Sequence, residues 1–184
     1  MLSIVCLAAP AWADFKTGAD AYQSGDYATA LREWQPLAEQ GQALAQYNLG
    51  LLYANGQGVS KDDAQAQQWY EKAAAQGHAG AQVNLGILYD YGRGVAQDYK
   101  KAVYWYRLSA KQGNELAQRQ LGLMFERGDG VPQDYVQAYM WYSLGAANGA
   151  KRGTALRDAL AKRMTPDQIA EAQQLAREWK PKGK

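Results

Sequence analysis

His78 is the only histidine and Cys6 the only cysteine in the chain. Imidazole general-base or soft-metal chemistry would therefore have to run through one of these two side chains, with no second His or Cys to help. His78 follows Gly77 at a turn, and the matching places in two later blocks hold Asn114 and Ala150. A position that accepts an imidazole, an amide or a methyl group is not a conserved ligand or base. Asp90, Asp98, Asp129 and Asp134 lie close enough in sequence to raise the possibility of calcium, but their spacing builds no twelve-residue loop with a closing Glu. Solvated loops and helix caps account for them better. The pairs Trp69-Tyr70, Trp105-Tyr106 and Trp141-Tyr142 offer a stacking ladder of the kind that holds single-stranded nucleic acid. They fall on an apolar stripe without a basic neighbourhood, and the net charge is only +2, so they read as core and no nucleic acid is expected. Arg127-Gly128-Asp129 is the tripeptide that adhesion receptors read. No Gly-x-Ser-x-Gly elbow, phosphate loop or zinc-helix motif occurs in the sequence.

What positions these residues is a block of thirty-six residues written three times, over 43–78, 79–114 and 115–150. Leu49, Leu85 and Leu121 recur in register, as do Gly50, Gly86 and Gly122, the three tryptophans, and Gly77, Gly113 and Gly149. Within the first block Ala45, Leu49 and Tyr53 share one helix face, and Ala66, Trp69, Tyr70, Ala73 and Ala74 form a broader stripe on a second helix. The two stripes must bury each other. A glycine inside the first helix costs about 1 kcal/mol relative to Ala. Its repetition predicts an approach too close for a Cβ, with Ala66, Ala102 and Ala138 opposite. Asp62, Asp98 and Asp134 are placed to cap the second helix, and Gln65 three after Asp62 resembles a capping box with Asp in place of Ser or Thr. Gly77, Gly113 and Gly149 are placed to end it in a left-handed turn. FERGDGV, residues 125–131, is the third copy of the loop YANGQGV at 53–59 and YDYGRGV at 89–95. Its glycines belong to the turn, and only Arg127 and Asp129 are free choices.

Residues 14–42 carry a shorter helix pair, with about five loop residues fewer than the blocks that follow, marked by Tyr22, Gly25-Asp26-Tyr27, Ala30 and Trp34. Behind the blocks, 151–184 hold two capping helices. Ala155, Leu156, Ala159 and Leu160 mark one, and Thr165-Pro166-Asp167-Gln168 opens the other, whose apolar face is Ile169, Ala172, Leu175, Ala176 and Trp179. This segment carries nine Lys/Arg against four Asp/Glu, whereas residues 1–150 carry eleven against fourteen. Ahead of everything, Leu2 to Ala9 is a short apolar run and Ala11-Trp12-Ala13 fits a small-x-small cleavage site. Residues 1–13 are therefore expected to be an export signal removed after Ala13. The absent Lys or Arg before the apolar run points to a start assigned too late. The mature chain would then be cysteine-free and periplasmic or secreted.

The unit Ala-x-x-x-Leu-Gly-x-x-Tyr-x-x-Gly-x-Gly-Val, followed by Asp-x-x-x-Ala-x-x-Trp-Tyr-x-x-Ala-Ala-x-x-Gly, resembles the Sel-1-like repeat. Ala45 to Gly77 carry it in the first block; the third departs at Phe125 and Gly145. The N-terminal pair is similar to the related tetratricopeptide repeat. The resemblance implies an all-α, right-handed solenoid of stacked helix-turn-helix units with C-terminal capping helices. It implies a non-catalytic adaptor that binds a protein or peptide along a concave groove lined by the first helices. The blocks differ most at first-helix positions off the packing face, which gives Tyr47, Leu51, Asn55, Val83, Ile87, Asp90, Tyr91, Arg119, Leu123, Glu126 and Arg127 as candidate contacts. No cofactor, metal or small-molecule substrate is expected, and the chain is expected to be soluble and monomeric. One branch of the family binds or hydrolyses β-lactams, which makes an envelope enzyme the alternative. Proteins of that branch pair cysteines within each repeat, and this chain has neither those cysteines nor a Ser-x-x-Lys nucleophile.

Overall fold

The periodicities expected from sequence fold into ten helices, and no strand occurs among the described residues, 14–147 and 151–180 of a computed structural model. The expected leader with Cys6, the turn residues Gly149 and Ala150, and positions 181–184 lie outside the described residues. The helices are α1 (Phe15–Ser24), α2 (Tyr27–Glu39), α3 (Ala43–Asn55), α4 (Asp63–Ala75), α5 (Ala79–Tyr91), α6 (Tyr99–Ala110), α7 (Glu115–Arg127), α8 (Tyr135–Ala146), α9 (Lys151–Ala161) and α10 (Pro166–Glu178). They gather into two compact units, Met1–Ala81 and Gln82–Lys184, with the boundary inside α5.

Each repeat is a hairpin closed by the same three devices. Gly56, Gly92 and Gly128 leave the first helix with φ of 67°, 63° and 80°, and Gly58, Gly94 and Gly130 follow at 71°, 69° and 70°. The second helix opens on an aspartate: Asp62 accepts from the amides of Ala64 and Gln65, Asp98 from Lys101, and Asp134 from Gln137. The amide of the same aspartate donates back to the first helix, to the carbonyl of Tyr53, Tyr89 or Phe125, each at 2.9 Å. That bond explains why the capping box expected at Gln65 is not formed: the Asp62 amide it would have to satisfy is already engaged. In the N-terminal pair only Gly25 and Asp26 separate the helices, with Gly25 left-handed at φ 85° and Asp26 capping Thr29.

The repeated glycine inside the first helix has a specific occupant above it. Tyr70, Tyr106 and Tyr142 are buried, and their rings lie over Gly50, Gly86 and Gly122. A Cβ on Gly122 would stand 2.5 Å from Cε1 of Tyr142, and the same clash arises at the other two. The close approach expected from sequence is present, but an aromatic ring makes it, rather than the fully buried Ala66, Ala102 and Ala138. Gly18 plays the same part in the first pair, under the indole of Trp34, whose Nε1 donates to the carbonyl of Phe15 at 3.2 Å. The tryptophans of the repeats are less uniform than expected. Trp69 and Trp105 are only half-buried, whereas Trp141 is buried edge-on against Trp179 with ring centroids 6.1 Å apart.

Buried glutamines, which sequence reasoning passed over, tie a first helix both to the preceding hairpin and to the end of its own second helix. Gln46 donates to the carbonyl of Ala38 and accepts from Gln76; in the second unit Gln118 donates to Ala110, and Gln82 accepts from Gln112. Buried amides of this kind stay only where their partners are fixed. At the C-terminus the expected α10 capping box is complete between Thr165 and Gln168. In α9 the expected stripe is corrected. Ala155 and Ala159 face solvent, and Gly153 and Leu160 are the buried positions, because Gly153 sits against the backbone of Gly145 and Ala146 and thereby sets which side of the helix turns inward.

Gly→Ala in a helix normally stabilises by about 1 kcal/mol. Gly122→Ala is expected to do the reverse and cost roughly 1–3 kcal/mol, because the added methyl must displace a packed ring. Urea unfolding of the two chains checks the sign, and a stabilised variant would contradict the ring-on-glycine account.

Candidate interaction surface

The eleven candidate contacts separate once their surroundings are known. In the first unit Tyr47 is half-buried, its ring stacked on His78 with centroids 4.4 Å apart and tilted against Tyr70 at 6.1 Å. Burial pushes its phenol above the ordinary value. Leu51 is half-buried and Asn55 is exposed, its amide donating to Gln57. Tyr47 is therefore partly structural, while Leu51 and Asn55 offer an apolar and a polar contact one turn apart.

In the second unit Val83 is a correction. It is 3% exposed and belongs to the core, so the side chain at this register is available at Arg119 but not here. Asp90 and Glu126 are half-buried and already engaged: the hydroxyl of Tyr106 donates to Asp90 at 3.1 Å and that of Tyr142 to Glu126 at 2.7 Å. Burial drives both phenols far above their ordinary value, so they remain donors at any physiological pH. Desolvation likewise raises Asp90, against the lowering effect of the Tyr106 bond. Glu126 also accepts from Arg163 at 2.8 Å. What stays accessible is Ile87 and Leu123, half-buried, with Arg119 half-exposed and Tyr91 and Arg127 exposed, Tyr91 at 63%. Arg119, Leu123 and Arg127 follow one another at four-residue spacing along α7, one face of the helix. Neither arginine has an ion-pair partner within 4 Å among the described residues. The arrangement can hold an apolar group between two cationic donors, with an aromatic ring available on α5. Arg127-Gly128-Asp129 is the end of α7 and its turn. A Cβ on Gly130 would lie 2.5 Å from the backbone carbonyl of Tyr99, so the glycines are fixed by packing as well as by φ.

A second exposed surface was legible in the repeat alignment but not singled out. Lys100, Tyr104 and Arg107 on α6, with Lys111 at its C-cap, are exposed, Tyr104 at 57%. The matching places in the first repeat hold Ala64, Gln68, Glu71 and Ala75, so the hairpin does not need these cations.

Among the described residues no three His, Cys, Asp or Glu side chains come together to hold an ion. An open concavity of about 280 Å³ is lined by Gln133, Asp134, Tyr135, Val136 and Gln168. Its one carboxylate, Asp134, caps α8, and Tyr135 bonds to Arg163. No helix among the described residues is long and apolar enough to cross a membrane.

His78 proves to be a cap. Its Nδ1 accepts the amide of Ala81 at 3.1 Å at the start of α5, as Oδ1 of Asn114 accepts that of Ala117 at 3.0 Å at the start of α7. The alignment of His78 with Asn114 carried this signal, since both side chains can accept a bond where a helix begins.

Tandem helical hairpins with glycine turns and capped second helices define an all-α solenoid repeat protein. The Sel1 repeat matches residues 43–78, 79–114 and 116–149, and the chain belongs to the Sel1 repeat family, whose members generally act as protein–protein interaction scaffolds. It is similar to a Sel1 repeat protein from Oxalobacter formigenes, at 32% identity and a TM-score of 0.77 over 90% of this chain and 70% of that one. It is also similar to a protective antigen of uropathogenic Escherichia coli strains that displays an SLR fold, at 32% identity and a TM-score of 0.61. There it spans 44% of the antigen's length and 89% of its own. No curated protein matches the sequence.

Burial holds the His78 imidazole below its ordinary value of 6.5, so the unfolded chain binds the proton first as pH falls. Stability is therefore whole above about pH 6.5 and declines as pH drops towards the folded-state value. Protonation of Nδ1 also removes the acceptor that caps α5. Thermal melts at about pH 7.5 and 5.5 should show a loss in the wild type that His78→Asn, the cap used in the next repeat, largely removes. An equal loss in both chains would place the titration elsewhere.

Proposed function

We propose that the chain is a non-catalytic scaffold of the cell envelope that binds a protein or peptide partner through the solvent-facing residues of its first helices. The observation that carries this is the contrast among equivalent positions on those helices. Asp90 and Glu126 accept from the buried tyrosines, while Tyr91 and Arg127 are exposed and Arg119 is half-exposed. Family membership supports the scaffold reading, and the likeness to a protective antigen supports a place in the envelope. The Ala11-Trp12-Ala13 pattern supports export with removal of the first thirteen residues.

A photo-crosslinking residue at position 91 should trap a partner in envelope preparations, and Arg119→Ala with Arg127→Ala should remove most of that adduct while leaving helicity unchanged. Adducts from position 104 and none from position 91 would move the binding surface to α6. Covalent labelling of the chain by a fluorescent β-lactam would overturn the non-catalytic reading in favour of the envelope enzyme.

A further inference from the structure

Glu33 is the one buried carboxylate among the described residues, 5% exposed on α2. Its Oε1 faces Nε and Nη2 of Arg32, both at 3.4 Å, from a side chain that lies largely in solvent. Its Oε2 accepts the main-chain N–H of Asp14 at 3.2 Å. The other charges at the start of α1 are engaged: the Asp14 carboxylate caps the amides of Lys16 and Thr17, and Lys16 pairs with Asp20. A carboxylate withdrawn from water is held poorly by one neutral amide and a mostly solvated guanidinium. Asp14 is also the residue that becomes the N-terminus if the chain is cut after Ala13.

We infer that Glu33 is the receptor for the new N-terminus made by processing at Ala13–Asp14. Water adds across that peptide bond; its oxygen leaves with Ala13 as a carboxylate, and the Asp14 nitrogen becomes an ammonium. The group 3.2 Å from Oε2 then changes from a neutral single donor to a cation with three donors. The resulting ion pair ties the first turn of α1 to α2. Charge-assisted bonds of this kind are roughly twice as strong as neutral ones. Removal of the leader thus stabilises the folded chain, and the leader-bearing form is the weaker fold at this end.

The inference rests on removal of the leader after Ala13, and the tests separate the two. N-terminal sequencing of exported protein tests the cleavage: a start other than Asp14 overturns it. Melting purified chains that begin at Asp14 or at Ala13 tests the ion pair, whatever happens in the cell. The Asp14 chain should melt higher by roughly 3–6 °C at neutral pH, and Glu33→Gln should abolish the difference. The carboxylate raises the ammonium above the ordinary α-amino value of about 7.7–8.0. The advantage is therefore complete below that range and lost as pH rises through the raised value. Equal melting of the two chains, or a difference that persists in Glu33→Gln, overturns the proposal. If Glu33→Gln fails to fold, an Nα-acetylated chain beginning at Asp14 provides the comparison, since it should melt like the Ala13 chain.

Discussion

Every repeat depends on a tyrosine ring lying flat over a glycine. The ring of Tyr70, Tyr106 or Tyr142 fills the space where the first helix lacks a Cβ, and this sets how closely the two helices of a hairpin approach. Each glycine weakens its own helix, since it adds backbone freedom to the unfolded chain. Burial of the tyrosine offsets that loss with apolar contact and fixes the pairing register, because a ring has only one seat along the helix. The caps and turns then follow. Once the distance between the helices is set, the loop must return the chain through positive φ at two glycines, and the aspartate that opens the second helix must reach the carbonyl it bonds on the first.

The far end of the same tyrosine reaches the surface that the adaptor reading depends on. A buried phenol needs an acceptor, and in the second and third repeats that acceptor is the variable residue of the first helix, Asp90 or Glu126. In the first repeat the position is Ala54, which offers none. Variation at this place therefore reflects alternative ways of accommodating a hydroxyl, and it says nothing about a partner. Val83 shows the other way in which variability misleads, since a change between Tyr47, Val83 and Arg119 includes one side chain that joins the core. A position that differs between repeats becomes a binding candidate only when its side chain is exposed and unengaged.

The helices and the turns were legible because each has a local cause. Glycine at positive φ, aspartate at a helix start and apolar residues at helical spacing leave their marks within one turn of chain. The glutamine bridges were missed because Gln46 and Gln76, or Gln82 and Gln112, are thirty residues apart, and nothing local distinguishes a buried amide from an exposed one. The stripe on α9 was misplaced for a similar reason. Alanine fits either side of a helix, and the side that turned inward was set by Gly153 meeting the end of α8. Exposure of the eleven candidate contacts could not be read from spacing, because it depends on the neighbour that packs there, as buried Val83 and exposed Tyr91 show.

His78 and Arg127 exchange the roles that their chemistry first suggests. A lone imidazole invites a catalytic reading and an Arg-Gly-Asp sequence an adhesive one, yet both sit at positions defined by the repeat. His78 occupies the place of a helix cap, where any short acceptor serves, as Asn114 shows. Its titration can reach function only through the stability of α5 and the orientation of Tyr47, on which it stacks. Arg127 ends α7 before a turn whose glycines are held by Tyr99 and by positive φ. The turn would form with another residue there, as Asn55 and Tyr91 show in the two earlier repeats. An exposed, charged side chain that neither caps a helix nor fills the core is where selection for a partner can act at little cost to stability. Arg127 meets that condition and His78 does not.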